Sequence, residues 1–191
     1  MNDREAQQRA AVVAASPAAP INPHGARRPV EAAVEGWKAG ASREAEARAI
    51  VVALARSWIG ARYHHMARVR PSHAEGEKGA TDCAQLLACV YQDAGLIDAV
   101  PLDYYPPDWH LHRGLERYLA VVLAHARETD SPLPGDVVLY KWGRCFAHGA
   151  IVVDPGWPQI VHAIIDARAV ILDRGDGGRL RDREKKFFTL W

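Results

Sequence analysis

Cys83 follows Asp82 at the point where a helical pattern begins. Cys83, Leu86, Leu87, Val90 and Ala94 fall at i, i+3, i+4, i+7 and i+11, which is one face of a helix. Asp82 with Gln85 three residues on has the form of a capping box, with Asp in the place of Ser or Thr, and Gly95 is a natural stop. A thiol in the first turn of a helix lies among backbone N–H groups that have no partner inside the helix. Their partial positive charge favours the thiolate, the form that attacks carbonyls. A second reading of the same residue stays open, because a free cysteine also packs as a small buried hydrophobe. Cys89, about 240° further round the helix, has no such terminus and reads as filler.

A nucleophilic thiol needs a proton acceptor, and His148 and His162 are the candidates. The turn residues Asp154-Pro155-Gly156 predict a hairpin. With Val153 opposite Trp157, His148 stands opposite His162, and residues so paired share a face with Cβ atoms about 4.5–5.5 Å apart. One imidazole can then orient the other, whereas a one-residue slip would part them. Either histidine alone has an ordinary explanation as a satisfied or solvent-facing ring. The pair, downstream of a helix-start cysteine, is what points to chemistry.

The elements that must position these residues follow from periodicity. A helix is predicted from near Ser42 to Gly60, where ARAIVVALARSWIG carries apolar residues at helical spacing. The polar, Gly-containing stretch 61–81 reads as a long loop, and long loops in compact domains are usually functional or mobile. After the Cys83 helix come a Pro- and aromatic-rich loop over 98–109 and a helix over Gly114 to Ala126. The period then changes to short β-rich runs at 136–140, 149–154, 159–163 and 169–173, with KFFTLW as a last strand. Helices followed by strands predict an α+β fold with an antiparallel sheet.

Several motifs now resemble the NlpC/P-sixty cysteine peptidases. Thr81-Asp82-Cys83-Ala84-Gln85-Leu86-Leu87 looks like their DCSGLV nucleophile motif, and Pro134-Gly135-Asp136-Val137-Val138 like the PGD motif that opens their sheet. Ala147-His148-Gly149-Ala150-Ile151-Val152-Val153 is similar to the HVGIYV strand that carries the base. Ile160-Val161-His162-Ala163 resembles the strand with the third polar residue, and Gly60-Ala61-Arg62-Tyr63 the G-x-x-Y stretch ahead of the catalytic loop. Order and spacing agree over roughly residues 44–175.

The resemblance implies a papain-like, NlpC-type fold with the Cys83 helix packed on an antiparallel sheet. It implies Cys83 as nucleophile, His148 as base and His162 as its orienting partner, with Tyr63 and Asp82 on the substrate side. The implied activity is hydrolysis of peptidoglycan stem peptides beside the γ-D-glutamyl residue, with neither cofactor nor metal. Ala84-Gln85 replaces the family's Ser-Gly, which leaves the peptide specificity open. The long insert before Asp82 and the Tyr104–His110 loop look more like the phage-tail-associated branch, for which phage tail proteins would be partners. A tail-assembly protein that keeps the fold, or a transacylase or amidase on the same scaffold, are the alternatives.

Composition limits the function classes. The chain has 191 residues, 49% apolar and 25% charged, with a net charge of +1, so no basic surface argues for a nucleic-acid partner. Three cysteines without regular spacing do not make a disulfide framework. Residues 1–41, rich in Ala, Pro, Arg and Glu, predict an extended or flexible arm, with short helical pieces around Arg4–Ala15 and Pro29–Lys38; residues 42–191 form the peptidase-like domain. No signal peptide and no membrane span are evident. That predicts a cytoplasmic protein at synthesis, delivered to the wall by a virion or by lysis. Cys145 with His148 has a C-x-x-H spacing, but a zinc site needs a second ligand pair, and His64, His65 and His73 are scattered. Asp166 reads as a turn residue, Trp109, Tyr104 and Tyr105 as a substrate wall or as local packing, and residues 181–186 as a solvated charge run.

Overall fold

The computed structural model describes residues 43–72, 74–101, 104–107 and 115–191. The expected N-terminal arm, with its helical pieces, and Trp109 lie outside the described residues. Helix α1 spans Arg43–Ser57, α2 Cys83–Asp93 and α3 Arg117–Leu123. Among the described residues nine strands make one sheet: β1 Arg62–Tyr63, β2 Arg68–Val69, β3 Ala80–Thr81, β4 Arg127–Thr129, β5 Val137–Trp142, β6 Cys145–Val152, β7 Gln159–Ile164, β8 Ala169–Arg174 and β9 Lys185–Thr189. Their order is β2-β3-β1-β8-β7-β6-β5-β9-β4. All neighbours run antiparallel except β1 and β3.

The two-residue period of the strands sorts their side chains onto two faces. Val137, Leu139, Ile151, Val161 and Phe188 join Val51, Ala55, Leu86 and Val90 in the main core, under α1 and α2. Val138, Tyr140, Ala150, Val152 and Ile160 face the other way and pack with Leu180, Trp142, Trp157 and Phe187. Helix α2 is therefore held on one face of β6 and β7, with its Cys83 end beside them.

The stretch 61–81 is not a plain loop. Its three short strands form the β2-β3-β1 edge, and β3 delivers the chain directly into Asp82 and Cys83. Two-residue strands carry too little periodicity to be read from a sequence. Gly79 makes this edge possible. Its φ is +67°, and a Cβ there would lie 2.5 Å from the Val69 carbonyl oxygen and 2.6 Å from Pro71 N. Both are backbone atoms of the neighbouring segment, which have nowhere to retreat. Gly79→Ala is expected to cost roughly 2–3 kcal/mol, and so to lower the melting midpoint by about 5–10 °C in a thermal denaturation.

The β6–β7 hairpin differs from the expected register by two residues. The observed pairs are Ile151↔Val161 and Val152↔Ile160, closed by Val153 N–H donating to the Gln159 carbonyl at 3.0 Å. Pro158 has no N–H to give, so the ladder begins only after it. A shift of two keeps every side chain on its face, so His148 and His162 remain on the same side as diagonal neighbours.

Candidate active site

Asp82 is the N-cap of α2. Its Oδ1 accepts from Gln85 N at 2.9 Å, and its Oδ2 accepts from Met66 N and from the Tyr105 hydroxyl, both at 2.7 Å. The carboxylate is 2% exposed and thus holds the loop after β1, the Tyr105 segment and the helix start together. Gln85, where the resemblance has Gly, is buried in the same network. Its amide oxygen accepts from Arg68 Nε, and its Nε2 donates to Tyr105 Oη at 3.1 Å. Tyr105 thus covers the carboxylate expected on the substrate side, and it also lines the cavity that Cys83 and His148 share.

Cys83 opens α2 and is partly exposed. Its thiol donates to the Ala147 carbonyl, with the sulfur 3.9 Å from the oxygen. Burial, and next the charge of Asp82, push the thiol up to about 12, while the backbone N–H groups of Gly149, Ala84 and Cys83 pull the other way. The helix terminus is therefore outweighed by desolvation, and the resting thiol is protonated. Tyr118, from α3, donates to the Cys83 carbonyl at 3.1 Å. It fits because residue 149 is Gly, since a Cβ there would run into the Tyr118 hydroxyl.

His148 sits beside a β-bulge. Tyr140 pairs with His148 and Lys141 with Phe146, so Ala147 is the extra residue of β6. The bulge turns Phe146 into the core under α2 and leaves His148 by Tyr140 and Trp142, with ring centroids 6.0 and 5.5 Å away. It also sets the Ala147 carbonyl against the thiol. His148 Nε2 lies 2.8 Å from His162 Nδ1, a hydrogen bond between two buried imidazoles. On its other side His162 Nε2 is 3.5 Å from Asp173 Oδ2, beyond a firm hydrogen bond.

Burial, and then the neighbouring His162 and Arg183 charges, hold His148 well below the usual imidazole range. Burial also lowers His162 from 6.5 to about 4, against the upward pull of Asp173. Both rings are thus neutral near pH 7. In the unfolded chain they take up protons below about 6.5, whereas the folded chain resists until far lower pH. Stability is therefore complete above about 6.5 and is lost as pH falls toward about 4, by on the order of 2–3 kcal/mol for His162 alone. Urea titrations at stepped pH should show this slope, and His162→Gln should flatten it.

Cys83 and His148 both line one cavity of about 730 Å³, together with Tyr63, Asp82 and Tyr118. The cavity reaches the ends of β6 and β7 beyond their last pair, where Ala147, Ala163 and Ile164 also line it. Four expected residues, Cys83, His148, Tyr63 and Asp82, thus meet at one cavity, and His162 stands behind His148. The thiol and His148 are not hydrogen-bonded to each other: the thiol uses Ala147, and His148 uses His162. Burial raises the Tyr63 hydroxyl above its usual range, as do the Cys83 and Asp82 charges. Cys145 is fully buried, and among the described residues no group of three His, Cys, Asp or Glu side chains is placed to hold a metal ion. Asp166 pairs with Arg179. Tyr118, Ala147 and Asp173 were missed in the sequence, because each acts through a long-range contact that no local spacing signals.

NlpC2 from Trichomonas vaginalis superposes on 75% of this chain and 47% of its own, with a TM-score of 0.50 and 13% identity. The fold is NlpC-type. The chain is also similar to the peptidoglycan hydrolase RipB from Mycobacterium tuberculosis (TM-score 0.47, 16% identity, 76% of this chain and 65% of that one). It is similar as well to the NlpC/p60 domain of the peptidoglycan hydrolase SagA (0.44, 16%, 73% and 96%). The chain spans about half the length of NlpC2. No family model matches the sequence, and no curated protein matches it. None of these three neighbours is described as a phage-tail protein, so that part of the sequence expectation gains nothing from them. Among the described residues no helix is long and apolar enough to cross a membrane.

Proposed function

We propose that this chain is a cysteine peptidase that cleaves peptide bonds in peptidoglycan stem peptides. The observation that carries the reading is the meeting of Cys83, at a helix N-terminus, and the hydrogen-bonded pair His148–His162 on one cavity of an NlpC-type fold. The motif order in the sequence supplies the substrate class. Both reacting groups rest neutral, the thiol raised and the imidazole lowered. Substrate entering the cavity would turn the sulfur from the Ala147 carbonyl toward His148. As sulfur attacks the carbonyl carbon, its proton passes to His148, and His148 returns it to the leaving amine. Water then opens the thioester with the same base. Backbone N–H groups at the start of α2 stabilise the oxyanion.

Digestion of purified sacculi, followed by mass spectrometry of the soluble fragments, tests this. The expected products carry a new amino terminus within the stem peptide. Release of peptide from the sugar would instead indicate an amidase, and an ester product a transacylase.

A second reading is a tail-assembly component that keeps the fold without the chemistry, with phage tail proteins as partners and delivery by a virion. The thiol's bond to the Ala147 carbonyl and its raised pKa favour it. Binding of a tail protein that survives Cys83→Ala, together with no wall hydrolysis by the wild type, would establish it.

A further inference from the structure

A neutral imidazole has one N–H and one bare nitrogen, and the 2.8 Å contact between His148 Nε2 and His162 Nδ1 needs one of each. Two proton arrangements satisfy it. In the first, His148 donates from Nε2 and its Nδ1 is bare. In the second, His162 donates from Nδ1, and the His148 proton sits on its own Nδ1. Only the first leaves a base on the nitrogen that has no hydrogen-bond partner among the described residues and belongs to a ring lining the cavity.

The choice is made at the far end of the pair. His162 is fully buried, and among the described residues its Nε2 has no hydrogen-bond partner. The charged group beside it is Asp173 Oδ2, at 3.5 Å. Strand register explains the approach: His162 pairs with Ile171, so Asp173, two residues on, is a diagonal neighbour on the same face. The other carboxylate oxygen is occupied, accepting from Arg174 N at 2.7 Å, and Oδ2 is left for the ring. An ionised carboxylate can only accept. It therefore favours the proton on His162 Nε2, which bares His162 Nδ1, which in turn draws the His148 proton to Nε2.

We propose that Asp173 is a positioning residue that sets the direction of every proton in the Asp173–His162–His148 chain, so that the bare nitrogen of His148 is the one offered to the cavity. This rests on the reading of Cys83 and His148 as the reacting pair. It adds a fourth member, which touches neither substrate nor thiol.

The test is long-range ¹H–¹⁵N NMR of the histidine rings in the substrate-free protein near neutral pH, which reports the tautomer of each ring in the folded state. Both His148 and His162 are expected as the Nε2–H form. Asp173→Ala is expected to move both toward Nδ1–H and to lower kcat on the order of 10- to 100-fold with little change in KM. Asp173→Glu, which still only accepts, should restore the tautomers and part of the rate. Unchanged tautomers in Asp173→Ala overturn the proposal, whatever the activity. A wild-type protein with the expected tautomers that cleaves no wall peptide overturns the peptidase reading instead, and leaves the proton arrangement supported.

Discussion

Cys83→Ala is expected to lower kcat/KM for stem-peptide cleavage by at least about 10⁴-fold, with His148→Ala close behind and the double variant little worse than either. Residues that act as one unit fail together. Without the sulfur there is no atom to form the acyl intermediate, and without the imidazole a thiol with a pKa of about 12 has no means to shed its proton. Cys83→Ala should not unfold the chain. Cys83 is only partly exposed but contributes a single small group, and Asp82 caps α2 through its own carboxylate. The melting midpoint should therefore stay within a few degrees, which separates lost chemistry from lost structure. Equal rates for wild type and Cys83→Ala would end the nucleophile assignment. Additive losses in the double variant would mean that Cys83 and His148 act separately.

Asp136→Ala is expected to give the largest loss of stability, about 3 kcal/mol. Asp136 is 1% exposed and accepts from Arg48 Nη1 and from Leu133 N, both at 2.8 Å. The same guanidinium donates to the Pro134 carbonyl at 3.0 Å and to Thr189 Oγ1 at 3.1 Å, and lies 4.1 Å from the Trp191 ring centroid. One arginine of α1 thus ties the turn before β5 to the end of β9. Removing the carboxylate leaves a largely buried cation and an orphaned backbone N–H, and breaking such a pair from one side costs several kcal/mol. Arg48→Met combined with Asp136→Ala should cost clearly less than the two single losses added together, because the cation that lost its buried partner, and kept only the exposed Glu44, is gone as well. Urea unfolding of the three variants measures this. Strict additivity would show that the two side chains are not coupled.

Asp136 also shows how far the amino-acid sequence could be read. The Pro134-Gly135-Asp136 turn is visible locally, because glycine at φ +90° and a short acidic side chain are turn chemistry. Its partner, 88 positions earlier in the chain, is not. Asp82 and Gln85 divide in the same way. The cap is written in the spacing, but the Arg68 and Tyr105 bonds that bury Gln85 depend on how two loops fold over it. The four long strands were readable as short β-rich runs between turn residues, to within a few residues at their ends. The bulge at Ala147 was not, because a single extra residue leaves no mark on the pattern until the partner strand is known. The hairpin register was off by two, since the turn residues were weighed without the missing N–H of Pro158. The even shift kept both histidines on one face, so the pair was found for a reason that was only partly right.

In the proposed mechanism Cys83 carries the acyl group during cleavage. Rapid acid quenching during turnover of a stem-peptide substrate, followed by peptide mapping, tests it most directly. A hydroxylamine-labile acyl adduct is expected on the peptide containing Cys83, none on those containing Cys89 or Cys145, and neither adduct nor turnover in Cys83→Ala. Turnover that continues in Cys83→Ala, with no adduct in the wild type, would contradict it.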